Sequence, residues 1–356
     1  MTESEVATEI VRLDMHGITV HIDAPGAQTR AALMYDYGMF AQPDDAAVRT
    51  ASDCSQVGRN CTAELRVTVV EEDDAPLIPG AIAGLLGDTI VVGPGTVEVR
   101  GPNVTTRAAY LREIRPYTTA SVIGLHRRRG AANVHASAVR ARDGGVIFAG
   151  EKMAGKTSLV LAMVSAGYSY LSNDITLLLP GADGEVEVGG MPQALPMGTG
   201  TQQWFAAHVP EFGITAPTTI PEGMGPSELY WYEAGSKQRL GWEQISSRDE
   251  LRLRTPLRHL VFPEAALDLD HPRVRPMDAD EAATRLLQNV DYFLKWALGP
   301  QQPFADLVDA TARLVERAIA GAAAIQFQWC PDHRRNAAVL AEHVGPPPAS
   351  GPADVV

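Results

Sequence analysis

The chain has 356 residues, of which 45% are hydrophobic, and a formal net charge of −13 at pH 7. This length suffices for two domains with apolar cores, and the negative charge argues against a broad surface for binding nucleic acid. The three cysteines lack CxxC spacing, which argues against a disulfide framework or a structural zinc site and favours a reducing, cytoplasmic location.

No segment has the pattern of a signal peptide or of a membrane span. Residues 1–6 lack the basic and apolar regions of a signal peptide. The longest apolar stretch, residues 77–86, is interrupted by proline and glycine. We therefore expect no membrane partner.

Residues 1–116 are predicted to form a smaller α+β domain. Alternating or β-branched apolar residues predict strands at 18–22, 65–70, 89–92 and 96–100. The Arg115-Pro116 pair marks the predicted end of the domain, because a residue that precedes proline is biased away from helix. No catalytic motif occurs in this part of the sequence.

Residues 117–345 are predicted to form a nucleotide-binding domain, followed by a disordered tail at 346–356. Residues 134–139 and 145–148 have the pattern of a β-hairpin. The remaining predicted elements are helices at 158–166, 278–298 and 303–323, strands at 168–171, 175–179, 257–262 and 324–329, and loops with short strands over 180–250.

Residues 150–157 read Gly-Glu-Lys-Met-Ala-Gly-Lys-Thr, a complete GxxxxGK[ST] phosphate-binding loop (Walker A) between a strand-like and a helix-like segment. In such a loop the backbone N–H groups converge on phosphates, the lysine reaches the β and γ phosphates, and the final hydroxyl is offered to Mg²⁺. The sequence therefore predicts binding of ATP with Mg²⁺. The predicted nucleotide-binding residues are Gly150, Glu151, Lys152, Met153, Ala154, Gly155, Lys156, Thr157 and Ser158.

Several other residues admit two interpretations. His135 is either a satisfied strand histidine or a site residue, and Asp174 is either a turn former or a carboxylate that holds Mg²⁺ opposite Thr157. Glu151 and Lys152 are either exposed or, for Lys152, an additional charge near the triphosphate. The tryptophans at 204, 231 and 242 are interpreted as core anchors in preference to base-stacking platforms, and the spacing of Asp332 and His333 does not indicate a metal site.

Residues 134–179 resemble the HPr kinase/phosphorylase superfamily, specifically its HPr-kinase-like members other than HPr kinase itself. The resemblance is carried by VHAS with His135, by the loop GEKMAGKTS, by a helix ending in Ala-Gly-Tyr, and by YLSNDITLL. Gly190-Met-Pro192, TPLRHLVFP at 255–263 and EAATRLLQN at 281–289 are also similar, whereas residues 1–116 match only loosely.

This resemblance implies an α/β phosphate-loop domain of the HPr kinase and phosphoenolpyruvate carboxykinase type, with a mixed sheet. It also implies ATP- and Mg²⁺-dependent phosphorylation of a serine-type hydroxyl on a peptide, protein or small metabolite, including in biosynthetic pathways. By the resemblance, His135, Lys156, Asn173 and Asp174 are catalytic, and Thr157 and Asp174 hold the metal. The signature with which HPr kinase grips its protein substrate is not visible, so HPr is not the expected partner.

One residue departs from the family pattern. The family has an adjacent pair of aspartates, the first linked to deprotonation of the serine, and here Asn173 takes the first position. An amide cannot accept a proton at neutral pH, so a kinase would rely on His135, on another carboxylate, or on substrate positioning, which dominates phosphoryl transfer.

Three functions therefore stay open at this point. The first is a kinase, and the second is a nucleotide-binding regulatory or assembly protein without phosphotransfer activity. The third is an enzyme that activates a carboxyl or amine through a phosphorylated intermediate. The acceptor, the use of GTP or pyrophosphate in place of ATP, and the oligomeric state, a homo-oligomer included, also stay open.

Overall fold

The computed structural model describes most of residues 129–349 and shorter parts of the region before them. The described ranges are 8–25, 65–71, 95–101, 129–191, 194–217, 238–247, 254–290 and 308–349, with scattered residues in 30–41, 119–127 and 223–230. The chain divides into two compact units, residues 1–129 with 293–308 and residues 130–292 with 309–356. The predicted boundary at residue 116 and the predicted strand at 89–92 lie outside the described residues.

The first unit contains a four-stranded mixed sheet. Its strands, in sheet order, are β1 (Thr8–Asp14), β2 (Thr19–Pro25), β3 (Leu65–Glu71) and β4 (Gly95–Gly101). β1 pairs with β2 antiparallel, whereas β2, β3 and β4 run parallel. The strands predicted at 18–22, 65–70 and 96–100 are present, and β1 is a strand that the sequence pattern did not predict.

The second unit is built on a nine-stranded mixed sheet, which confirms the α/β class with a mixed sheet. The nine strands of this sheet are β5 (Ala132–Val134), β6 (Ala136–Arg140), β7 (Gly145–Ala149), β8 (Ser169–Ser172), β9 (Thr176–Pro180), β10 (Val186–Gly190), β13 (Thr255–Ala265), β14 (Arg273–Pro276) and β15 (Ala323–Trp329). They run in the order β5-β9-β10-β13-β7-β6-β8, with β15 beside β13 and β14 beside β15. A separate two-stranded sheet consists of β11 (Leu195–Met197) and β12 (Gln238–Leu240).

Parallel pairing in this sheet brings three strand ends to one edge. β13 runs parallel to both β7 and β15, while the hairpin of β6 and β7 is antiparallel, as its sequence predicts. The carboxyl ends of β7, β13 and β15 therefore lie at the same edge, which is where ligands bind in open α/β sheets. The phosphate-loop sequence begins at Gly150, directly after β7.

Five helices are described in the second unit. They are α1 (Lys156–Ser165), α2 (Thr199–His208), α3 (Ala279–Gln288), α4 (Val308–Gly321) and α5 (His333–Val344). α1, α3 and α4 correspond to predicted helices, although α3 ends at Gln288 and residues 291–307 lie outside the described residues. No helix among the described ranges has both the length and the apolar content needed to cross a membrane.

Two of these helices were not predicted. α2 begins with Thr-Gly-Thr, which has weak helix propensity, and it is stabilised by tertiary burial of Thr201 and Phe205. The prediction of loops and short strands alone over 180–250 is therefore wrong at α2. α5 is capped by Asp332, whose side chain accepts hydrogen bonds from the backbone N–H groups of Arg334 and Arg335.

Hydrogen bonds join the start of the predicted tail to the rest of the second unit. The carbonyl of Gly345 accepts a hydrogen bond from the hydroxyl of Tyr168, and the carbonyl of Pro346 accepts one from the backbone N–H of Arg142 at 3.0 Å. Residues 350–356 lie outside the described residues.

Candidate functional site

The loop after β7 has the backbone shape that its glycines permit. Met153 and Gly155 both have positive φ angles, 70° and 96°. A Cβ added to Gly155 would lie 2.4 Å from the indole ring of Trp329, so both the φ angle and the available space require glycine there. α1 begins immediately afterwards, and no described side chain caps its first turn. The backbone N–H groups of this first turn can therefore bind an anion, because the N-terminus of a helix favours negative charge.

Lys156 is buried against the loop itself. Its Nζ donates hydrogen bonds to the carbonyls of Gly150 at 2.8 Å and Glu151 at 2.9 Å. Burial lowers the pKa of Lys156 to about 8, and the negative charges of Asp174 and Glu151 act in the opposite direction. A poorly solvated ammonium would gain from pairing with a bound anion.

Thr157 and Asn173 are brought into contact. The Thr157 hydroxyl donates to the side-chain oxygen of Asn173 at 3.0 Å, and the Ser137 hydroxyl donates to the same oxygen at 2.8 Å. Asn173 is fully buried. This amide therefore fixes the hydroxyl at the end of the phosphate loop to β6 and to the turn between β8 and β9.

Asp174 lies next in that turn and has its own partners. Its Oδ2 accepts a hydrogen bond of 3.3 Å from the Asn173 amide, and its Oδ1 lies 3.5 Å from Nε2 of His135. The side chain of Asp174 is 41% exposed, whereas that of His135 is 10% exposed. The φ angle of Asp174 is 63°, a value that aspartate tolerates better than most residues. The turn thus presents one partly exposed carboxylate beside a mostly buried imidazole.

Polar residues alternate with apolar residues along the segment that contains β5 and β6. Val134, Ala136 and Ala138 belong to the apolar core, so the intervening Asn133, His135 and Ser137 lie on the opposite face. The backbone N–H of His135 donates to the carbonyl of Asn289, just after α3, at 2.8 Å. Ser137 was missed in the sequence, although its position two residues after His135 is the signal that could have identified it.

The other predicted loop residues occupy different environments. Glu151, Lys152 and Met153 are exposed. The side chain of Ser158 is instead buried and shares a hydrogen bond of 2.8 Å with Thr201 of α2. Only its backbone is therefore available to a ligand.

The tryptophans considered in the sequence also differ in their surroundings. Trp204 is half-buried and stacks on His208, with ring centroids 4.5 Å apart. Trp242 is buried, as expected for a core anchor, and residue 231 lies outside the described residues. Trp329, which no sequence motif marks as a site residue, donates its indole N–H to the carbonyl of Ala154 in the loop, at 2.8 Å.

The donors at the site are chemically suited to magnesium. Thr157 and Asp174 supply a hydroxyl and a carboxylate oxygen, and Mg²⁺ takes oxygen ligands. The side-chain oxygen of Asn173 already accepts hydrogen bonds from Thr157 and Ser137. In the described part of the chain, no group of three or more His, Cys, Asp or Glu residues could hold a metal by itself. Mg²⁺ beside phosphates is usually held by one or two protein ligands and completed by phosphate oxygens and water.

Comparison of the chain with protein-family models and with curated proteins gave no match.

Proposed function

We propose that this chain is an ATP- and Mg²⁺-dependent phosphotransferase of the HPr-kinase-like, phosphate-loop type. It would phosphorylate a serine-type hydroxyl on a peptide, protein or small metabolite, in the cytoplasm and in a biosynthetic pathway. The observation that carries the proposal is the convergence of Thr157, Asn173 and Asp174. The last hydroxyl of the phosphate loop is joined through one buried amide to a partly exposed carboxylate.

The loop and the first turn of α1 would hold the triphosphate. Backbone N–H groups of residues 150–158 would bind phosphate oxygens, and Lys156 would exchange its bonds to the loop carbonyls for the β and γ phosphates. Bound ATP supplies a transferable γ-phosphoryl group. The protein supplies position and charge neutralisation, which dominate catalysis of this reaction.

The metal would be held by Thr157 and Asp174, with Asn173 supporting both. The Asn173 side chain accepts from the threonine hydroxyl and donates to the Asp174 carboxylate, so it orients the two oxygen ligands at once. Mg²⁺ supplies a positive charge that neutralises the phosphate oxygens.

As the acceptor oxygen bonds to the γ-phosphorus and ADP leaves, the proton of the acceptor hydroxyl would pass to the ring nitrogen of His135 that does not face Asp174. Nε2 of His135 lies 3.5 Å from the Asp174 carboxylate, which can stabilise the imidazolium that forms. Early proton removal contributes little when the transition state is loose. A histidine base therefore suffices where the family pattern has an aspartate at position 173.

Calorimetry on the purified protein tests the nucleotide-binding part of this proposal. We expect wild-type protein to bind Mg²⁺-ATP and Lys156→Ala to lose that binding, because the variant removes the ammonium that is held at the loop. The proposal is wrong if the Lys156→Ala protein, shown to be folded by its unfolding transition, retains the wild-type affinity.

A second candidate is a nucleotide-binding regulatory or assembly protein without phosphotransfer. The neutral Asn173 beside Thr157 favours this alternative, because it gives the metal position one negative charge fewer than an aspartate would. The two candidates differ in whether bound ATP is turned over, and the Asn173→Asp variant distinguishes them.

A further inference from the structure

Trp329 packs against the phosphate loop from the end of a parallel strand. Its indole N–H donates to the carbonyl of Ala154 at 2.8 Å, and its ring fills the space beside the Cα of Gly155. The Ala154 carbonyl and the Gly155 N–H belong to one planar trans peptide group, so they face opposite directions. The indole therefore turns the Gly155 N–H away from itself.

His333 lies behind Trp329 at the start of α5. Its ring is fully buried and is nearly parallel to the ring of Trp329, with centroids 5.9 Å apart. The His333 ring also stacks on the ring of Phe205 in α2, with centroids 5.2 Å apart. Burial lowers the pKa of His333 to about 3, so the ring is neutral at physiological pH and can both accept and donate a hydrogen bond.

Tyr230 connects this histidine to the loop helix. Its hydroxyl lies 2.9 Å from Nε2 of His333 and donates to the hydroxyl of Ser158 at 3.2 Å. The hydroxyl of Thr201, in α2, lies 3.3 Å from the hydroxyl of Tyr230. Ser158 follows Thr157 in the first turn of α1, so the network ends one residue from the proposed metal ligand.

We propose that Trp329, His333 and Tyr230, here called the loop brace, are positioning residues that hold the phosphate loop in its anion-binding conformation. The loop needs such support because the positive φ angle of Met153 is unfavourable for a residue with a long side chain. The brace makes nucleotide affinity depend on α2, on α5 and on Tyr230, none of which carries a phosphate-binding motif. The inference rests on the proposed nucleotide binding.

Trp329→Phe is the sharpest test, because it keeps an aromatic ring and removes the N–H. The net value of one hydrogen bond corresponds to roughly a three- to tenfold change in an equilibrium constant. We therefore expect ATP affinity, measured by calorimetry, to fall by about that factor. Trp242→Phe is the matched control: Trp242 is also buried, and its indole N–H has no hydrogen-bond partner among the described residues. It should bind ATP as wild type does.

Tyr230→Phe supplies a second, independent variant. It should also weaken ATP binding, by about threefold, whereas Tyr168→Phe removes a hydroxyl bonded to Gly345 and should leave affinity unchanged. A merely structural role would lower the unfolding temperature without changing the affinity of the folded protein. Wild-type affinity in both Trp329→Phe and Tyr230→Phe, each folded at the assay temperature, overturns the brace.

Tryptophan fluorescence adds a readout that is specific to the loop. ATP should change the emission of wild-type and Trp242→Phe protein, and the change should be lost in Trp329→Phe. Lys156→Ala in the same series separates the two proposals. Absence of ATP binding by wild type contradicts the proposed function. Binding that is abolished by Lys156→Ala but is insensitive to the Trp329 and Tyr230 variants contradicts the brace alone.

Discussion

The hydroxyl of Thr157 donates a hydrogen bond of 3.0 Å to the side-chain oxygen of Asn173, so a neutral amide occupies the position next to the last residue of the phosphate loop. The same amide donates to Asp174 through its nitrogen. An aspartate at 173 could accept from Thr157 but could not donate to Asp174, and the two adjacent carboxylates would repel each other. Asparagine therefore leaves Asp174 as the partly exposed negative charge of this turn.

This arrangement predicts that Thr157→Ala and Asp174→Asn act through the metal. Thr157→Ala removes one proposed oxygen ligand, and Asp174→Asn removes the negative charge of the other. Each variant should therefore weaken binding of Mg²⁺-ATP on the order of tenfold. Binding of ATP in the presence of a chelator should change much less. Paired calorimetric titrations with and without Mg²⁺ measure the difference. Equal losses under both conditions would show that the two residues are structural.

Lys156 should make stability depend on alkaline pH in a particular direction. Burial lowers its pKa to about 8 from 10.5, so the folded state binds fewer protons than the unfolded state between these values. Stability therefore rises with pH in this window. Relative to Lys156→Met, wild type should gain about 2 kcal/mol between pH 7 and pH 9.5. Other groups titrate in both proteins, so the difference between their urea unfolding free energies isolates Lys156. A constant difference would contradict the burial of a charged ammonium.

His333 should make the fold sensitive to acid. Burial lowers its pKa to about 3 from 6.5, so protons bind preferentially to the unfolded state as the pH falls below 6.5. The contribution of the neutral His333 to the free energy of unfolding is fully present above pH 6.5. It decreases on acidification, and the free energy of unfolding is lower by about 2 kcal/mol at pH 5. Replacement by Gln should remove this dependence between pH 7 and pH 5 in urea unfolding. The matched His343→Gln variant, at an exposed position of α5, should keep it.

The elements around the phosphate loop could be predicted because their signals are local. The hairpin of β6 and β7, helix α1 and strand β8 each follow from periodicity or from the GxxxxGK[ST] spacing within a few residues. β14 was not predictable in the same way, because Arg273-Val-Arg-Pro276 is largely exposed and has no apolar alternation.

The internal geometry of the site could not be predicted from the sequence, for two physical reasons. Which of Asn173 and Asp174 faces Thr157 depends on the backbone of the turn, where Asp174 has a φ of 63°. The contact between Trp329 and Ala154 joins residues 175 positions apart. It exists because β7, β13 and β15 are parallel neighbours, and no local pattern contains that information.

The last prediction separates the kinase from a nucleotide-binding protein without transfer activity. Transfer of the γ-phosphate of labelled ATP can be followed to a panel of hydroxyl-containing peptides and metabolites, and to water as the simplest acceptor. If His135 accepts the proton, His135→Ala should lower the rate by no more than about a hundredfold, the lower end of the usual effect of a general base, because early proton removal contributes little in a loose transition state. Asn173→Ala should cost less, because it disturbs the orientation of Thr157 and Asp174 without removing either.

His343→Ala is the matched control for loss of an imidazole and should keep the wild-type rate, because His343 is exposed on α5. The kinase proposal and its rival give opposite results for the remaining variant. In a kinase, Asn173→Asp should lower the rate or leave it unchanged, because wild type already places an oriented carboxylate beside His135. If wild type binds Mg²⁺-ATP, transfers nothing to any acceptor, and gains activity on Asn173→Asp, then the natural protein senses nucleotide and does not transfer phosphate.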